Sequence, residues 1–482
     1  MNESTAIPRR RSLFAKWIKY IVDPRRISHK YLLQALLCLF LTGPTLFDNF
    51  FNACVTDIIA DLGITHEKFS LLVSIPSITG VFCGAIAGVV YAYGSTLVAV
   101  TTAILSFFGA VCMCYGISES SYTVIMSGRI VFVMFWNLLG SVQKVIIFRQ
   151  FSGTALAFIF GMKILAIRLG AVSGLYFAGD IMVQMHGSLS GGFCYALALS
   201  ALSLICTCAF AYLYRGSSTA REIRPYLIGH RRPRADSSPA VSYSPLSVPR
   251  DTWICCLVVF LYYGGIVPFE TFGVDYLVTA FQFSKTDAAQ AMALLPFFSF
   301  FSPLLGPLVV SIHRQLLGLL LSQLLVGVCI CAEILQTAYT PYLYLCLMGV
   351  GHLFIANAVW LTLAGVSPTE QEKTNAASLS SAIHALSGFT FNWLTGRIRD
   401  VFGNYNAALG LLSTLIILGA FVSWYLLSKG DWTHRVVTNI ATTINDSTSA
   451  ESPLETPLVT SVLVDEEYFI RTTPPRHTNY NI

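Results

Sequence analysis

The sequence is poor in charge: Lys, Arg, Asp and Glu make up 11% of its 482 residues, where a soluble domain carries roughly 25%. The shortage is uneven. Of the 55 charged side chains, 31 fall in residues 1–30, 215–251 and 428–482, which leaves 24 for the other 360 residues. So few charges could not clothe a water-facing surface of that size, whereas a surface against hydrocarbon does not need them. A soluble globular fold is excluded, and a polytopic membrane protein is expected. Alternation of polar and apolar residues is also missing from the apolar segments, which excludes a closed β-barrel. The sequence carries no nucleophile motif, no metal-ligand cluster and no phosphate-binding glycine loop, so no enzyme activity, metal site or cofactor is expected. The net charge of +5 is modest and its basic residues are clustered, which gives no indication of a nucleic-acid partner. The 13 cysteines, an odd number scattered through apolar stretches, read as small core residues. Residues 1–30 are too basic, and too long before the first apolar run, for a cleavable signal peptide, so the first span is expected to be an uncleaved anchor.

What is present in abundance is hydrophobic sequence, at 55% of the chain. About 20 apolar residues cross about 30 Å of hydrocarbon. Twelve such runs can be drawn, near 31–53, 69–91, 98–115, 122–146, 155–177 and 192–214, then 252–278, 287–310, 316–337, 342–365, 376–395 and 404–427. The predicted fold is an all-α membrane protein of twelve transmembrane helices in two six-helix pseudo-repeats, 31–214 and 252–427. A basic N-terminal segment (1–30), a basic Ser/Pro-rich linker (215–251) and a disordered tail (428–482) flank the repeats. Lys and Arg number eight in the N-terminal segment, seven in the linker and four in the tail, and such residues are retained in the cytosol. All three segments are therefore expected on the cytosolic side, which an even number of spans between each pair satisfies. The glycosylation acceptor patterns at Asn2 and Asn445 then face the cytosol and are expected to be unmodified. Tyr243-Ser244-Pro245-Leu246 has the form of a tyrosine-based endosomal sorting signal.

The two halves echo each other. Pro44-Thr45-Leu46-Phe47-Asp48 in span 1 parallels Pro268-Phe269-Glu270 in span 7, and Pro76 in span 2 parallels Pro296 in span 8. Such duplication places a transporter's substrate site between the halves. Ionisable residues within the spans point to the same region, because a charge at the bilayer centre costs roughly 3 kcal/mol and must face a partner or water. Arg168, near the middle of span 5, has too far to snorkel, and its guanidinium can grip a carboxylate with two hydrogen bonds. Asp48, Glu270, Asn137 and Gln143 are further polar candidates. Lys163 lies about 140° around the helix from Arg168 and faces a different neighbour. Arg129 and Lys144 read equally well as site residues or as buried pairs or residues snorkelling to the interface. Tyr262, Tyr263 and Trp360 can line a cavity or pack, and His352 and His384 read first as packing or hydrogen-bonding residues.

Twelve spans divided by a cytosolic linker resemble the major facilitator superfamily. Ser127-Gly128-Arg129, Gln143, Phe160-Gly161, Arg168-Leu169-Gly170, Tyr262-Tyr263, Pro268-Phe269, Ser302-Pro303-Leu304-Leu305-Gly306, Asp48-Asn49 and Ala358-Val359-Trp360 resemble, in order and spacing, the family of lysosomal dipeptide transporters within it. That resemblance implies a lysosomal or endosomal uniporter exporting dipeptides that contain Lys, Arg or His, often as a homodimer with a glycosylated single-span accessory protein. It also implies that Arg168 is the substrate-binding arginine. The family's span 4 glutamate, suited to a peptide amino terminus, is replaced here by Asn137, so the amino end would turn to Asp48 or Glu270, or the substrate differs. The charged latch between spans 2 and 3 is missing from Gly88–Ser95, and the span 4 glycines are replaced by Val133, Phe135 and Trp136, which would separate helices or narrow the cavity. Gly396-Arg397-Ile398-Arg399-Asp400 and Gly403 keep the superfamily pattern. The alternatives are a facilitator for an organic anion or an amino acid, and a non-transporting membrane sensor or scaffold.

Overall fold

In hydrocarbon every backbone N–H and C=O must find its partner inside the segment, so long apolar runs become helices. The computed structural model describes residues 27–429 except 94, 151–152, 216–247, 306–307, 309–314, 335–339 and 367–369. The N-terminal segment up to residue 26, nearly all of the linker with Tyr243–Leu246, the tail from residue 430, both glycosylation patterns and the side chains of 84–95 lie outside the described residues. The described residues contain no β-strand.

The first half comprises α1 (Ile27–Cys38), α2 (Thr42–Ala53), α3 (Val55–Leu62), α4 (His66–Tyr93), α5 (Ser95–Ser118), α6 (Tyr122–Gln150), α7 (Gly153–Tyr176), α8 (Ala178–Gln184) and α9 (Leu189–Arg215). The second comprises α10 (Arg250–Phe281), α11 (Lys285–Met292), α12 (Leu294–Phe297), α13 (Gln315–Glu333), α14 (Thr340–Val366), α15 (Glu370–Phe402) and α16 (Asn406–Ser428). Among the described residues, 10 helical stretches are long and apolar enough to cross a membrane. The two remaining expected spans, near 69–91 and 376–395, are α4 and α15, with 28 and 33 residues. The all-helical, two-repeat architecture is as expected.

Span 1 is not one continuous helix. Pro44 has no N–H to continue the ladder, and the chain tightens into a 3₁₀ turn at Leu39–Leu41 between α1 and α2. Neighbouring helices satisfy the freed groups. Ser203 of α9 accepts from the Gly43 N–H at 2.6 Å and donates to the Leu39 carbonyl at 2.8 Å, bridging the pair that an unbroken helix would bond directly. Gln143 of α6 donates to the Leu37 carbonyl at 2.7 Å, and Thr42 donates to the Ala166 carbonyl of α7 at 3.0 Å. Span 8 is also broken, into α11, α12 and a 3₁₀ turn at Phe298–Phe301, around Pro296. Pro76 and Pro268, by contrast, sit inside continuous helices.

The halves meet chiefly where α4 packs along α15, with α7 against α11 and α12, and α2 against α10. Glycines allow the closest approaches. A Cβ on Gly161 of α7 would stand 2.5 Å from the Pro303 Cα, and one on Gly170 would stand 2.2 Å from the Thr42 carbonyl oxygen. The bulky residues of span 4 do not hold α6 away from α5, because Gly109 and Gly128 let the two backbones touch. Trp136 stacks on Phe132 at 5.8 Å instead.

Candidate functional site

Arg168 points from α7 toward the second half. Its Nη1 donates to Glu270 Oε1 of α10 at 3.2 Å, and the two side chains keep 20% and 27% exposure. Accessible surface on facing sides of two membrane-spanning helices from opposite halves marks an internal space. The other guanidinium nitrogen, Nη2, donates to His352 Nε2 of α14. That nitrogen must then be the acceptor, so the proton sits on Nδ1, 2.7 Å from the Tyr262 hydroxyl oxygen. The fully buried Tyr262 therefore accepts from the imidazole and fixes its tautomer. Tyr263, next on α10, meets His384 of α15 edge to face with centroids 4.4 Å apart, and Trp360 of α14 stands against its hydroxyl. Trp360 in turn lies under Lys144 of α6, whose Nζ is 4.9 Å from the ring centroid and 3.4 Å from the Ser381 hydroxyl of α15.

The other candidates lie elsewhere. Asp48 accepts from Arg129 Nη2 at 2.9 Å, and Arg129, 2% exposed, covers the Phe51 ring at 4.0 Å. This pair stays within the first half. Asp48 and Glu270 occupy related places in the repeat, yet one is paired inside its half and the other across the divide. Gln143 serves the break in span 1. Lys163 is buried above Phe160, 5.5 Å from its centroid. Asn137 lies where α4, α6 and α15 converge: a Cβ on Gly80 would come within 3.3 Å of its Nδ2 and 2.8 Å of Ala385.

One group of residues was visible in the sequence only as the pattern around Arg397 and Asp400, without the partners these two meet. At the end of the molecule where α3 turns into α4, the halves are joined by ionic contacts. The buried Asp275 of α10 accepts from Tyr405 at 2.6 Å and Thr56 at 3.2 Å, with His66 Nε2 also 3.2 Å away. His66 Nδ1 lies 3.1 Å from Asp400 of α15, which also accepts the backbone N–H groups of His66 and Glu67 at 3.2 and 2.7 Å. An aspartate at the N-terminus of α4 is favoured by the helix dipole as well. Arg397 pairs with Glu67 at 2.7 Å, and Lys285 pairs with Asp57.

Comparison with known proteins places this arrangement. Residues 36–390 match the Major Facilitator Superfamily. The chain belongs to the major facilitator superfamily. This facilitator is 23% identical to the lysosomal dipeptide transporter MFSD1 of Gallus gallus over 428 residues, covering 85% of this chain and 89% of that protein. It is also 23% identical to the Homo sapiens transporter of the same name, covering 79% and 82%. In three dimensions it is similar to the facilitator FucP in an outward conformation, with a TM-score of 0.58 at 13% identity over 81% of this chain and 98% of that one. A bacterial homolog of the human lysosomal transporter Spinster, inward-facing and unoccupied, gives 0.57 at 14% identity over 88% and 98%. The facilitator is thus a multi-pass membrane transporter and not an enzyme.

Proposed function

We propose that this facilitator carries dipeptides across a lysosomal or related endosomal membrane, as a uniporter working by alternating access. The observation that carries the reading is the Arg168–Glu270 pair, which joins the two halves while remaining accessible. A short peptide has an anionic and a cationic end. Its carboxylate can take the place of Glu270 on Arg168, and the displaced Glu270 can receive the ammonium group that Asn137, lacking charge, cannot neutralise. Asp48 keeps Arg129 and Gln143 keeps the span 1 carbonyls, so both support the frame of the site, while Tyr263 and Trp360 flank the substrate.

The moving bodies in this reading are 31–214 and 252–427, joined by the linker 215–251, with both termini in the cytosol. The substrate gradient supplies the driving force. The homodimer and the single-span accessory partner belong to the same reading and rest on the family resemblance. The names of the similar MFSD1 proteins support the substrate class and the organelle. The test is uptake of a labelled dipeptide into proteoliposomes containing the purified chain. Saturable uptake that Arg168→Ala abolishes is expected; uptake unchanged by Arg168→Ala would remove Arg168 from the site, and absence of any peptide flux would overturn the function.

A further inference from the structure

Lys144 is a cation without a countercharge. No carboxylate among the described residues lies within ion-pair distance of it, and its contacts are the Trp360 ring at 4.9 Å and a long hydrogen bond to Ser381 at 3.4 Å. Lys144 closes the apolar stretch of α6, where a cation is normally paired or reaches water; a cation–π contact and one long hydrogen bond are weak substitutes for a countercharge. Lys163, also without a carboxylate partner among the described residues, is within electrostatic range of Lys144 and supplies it no countercharge. Asp48 of the same half is committed to Arg129, fifteen residues from Lys144 and so about 22 Å away along α6. Among the described residues, none provides the half-buried Lys144 with an anion.

Its position says which anion. Lys144 rests on Trp360 and Arg168 on His352, eight residues apart on α14 and so about 12 Å along the helix axis. On α15, Ser381 under Lys144 and His384 on Tyr263 are one turn apart on one face. His384 is an electrostatic neighbour of both Lys144 and Arg168. The two cations thus flank one cluster of side chains, Tyr263, His384 and Trp360. We propose that Lys144 is a specificity-determining residue that binds a second anionic group of the substrate, so that the transported peptides are those with an acidic side chain. After about 3 Å of hydrogen bond is allowed at each cation, an extended chain rising about 3.4 Å per residue sets its C-terminal carboxylate on Arg168 and the side-chain carboxylate of the first residue on Lys144. The resemblance to relatives implies cationic side chains; Lys144 would repel them.

The proposal rests on the peptide reading of the Arg168 site, and the experiment separates the two. Thermal stabilisation of the purified full-length chain is measured with Glu-Ala, Ala-Ala, Lys-Ala and glutarate, alongside competition of the same compounds against labelled Ala-Ala in proteoliposomes. Glu-Ala is expected to act at concentrations about tenfold or more below Ala-Ala, the scale of one charge-assisted hydrogen bond, with Lys-Ala weakest. Lys144→Gln should collapse the Glu-Ala to Ala-Ala ratio toward one, and Lys144→Arg should restore it. Equal potency of Glu-Ala and Ala-Ala in the unaltered chain, or an unchanged ratio in Lys144→Gln, overturns the proposal while leaving peptide transport standing. If glutarate binds with Lys144 dependence and no dipeptide does, the second-anion role holds and the peptide reading fails. If nothing in the panel binds or competes, both fail.

Discussion

Arg168 holds two partners, Glu270 through Nη1 and His352 through Nη2, which a peptide bound as proposed must replace or share. A planar fork can hold both at once, which an ammonium cannot do with the same geometry. Arg168→Lys, although it keeps the charge, is therefore expected to cut dipeptide uptake to about a tenth or less, the loss of one or two charge-assisted hydrogen bonds. Uptake within a factor of about two of the unaltered chain would show that charge alone suffices. Glu270 gives a second prediction. In the proposed mode it pairs with Arg168 when no peptide is bound and receives the amino end when one is. Glu270→Gln should weaken Ala-Ala about tenfold in competition assays while leaving N-acetyl-Ala-Ala, which lacks the ammonium, as potent or more so. Equal weakening of both compounds would count against the amino-end role. Arg168 was legible from its depth in span 5, and Glu270 from the internal repeat. The importance of His352 was not, because its partner lies 184 positions away and a histidine within a span reads equally as packing.

Helix boundaries follow hydropathy closely, since water and hydrocarbon set them. The expected 404–427 is Asn406–Ser428, and the expected 98–115 is Ser95–Ser118. The breaks in spans 1 and 8 were invisible to that measure, because neither changes the apolar count; in span 1, Ser203 and Gln143 repair the backbone from other helices. Gln143 looked like a cavity residue for the same reason: its polarity was evident, but its acceptor was not. Close packing between α2 and α7 depends on Gly170 and Gly174, four residues apart, whose Cβ positions would lie 2.2 Å and 2.4 Å from the Thr42 and Leu46 carbonyl oxygens. Small residues at this spacing let transmembrane helices touch. Gly170→Val should force the pair apart at a cost of about 1–3 kcal/mol, seen as a lower thermal-unfolding midpoint in detergent. Gly318→Ala in α13, where an added Cβ meets nothing within 4 Å, should leave the midpoint unchanged or raise it. A Gly170→Val midpoint equal to that of Gly318→Ala would show that α2 and α7 have room to spare.

The scarcity of charge takes on meaning across the whole molecule, because ion pairs within a half travel with it and pairs across the halves must open if the halves rock. Arg129–Asp48 is of the first kind; Arg168–Glu270, Arg397–Glu67, Lys285–Asp57 and the His66 contacts are of the second. Most of the second kind gather at the end that the proposed topology assigns to the lumen, so this structure has that end tied shut. One side chain holds much of that tie. Both His66 ring nitrogens face carboxylates, Asp275 of α10 at 3.2 Å and Asp400 of α15 at 3.1 Å, so a single residue of α4 joins two helices of the second half. The Arg397–Glu67 pair beside it offers a reporter. With Glu67→Cys and Arg397→Cys, the yield of a short bifunctional thiol cross-link, read by mass spectrometry of the joined peptides, should fall when His66→Ala is added, since alanine reaches neither carboxylate. A yield unchanged by His66→Ala would assign closure of this end to the apolar packing of α4 on α15 and not to the histidine.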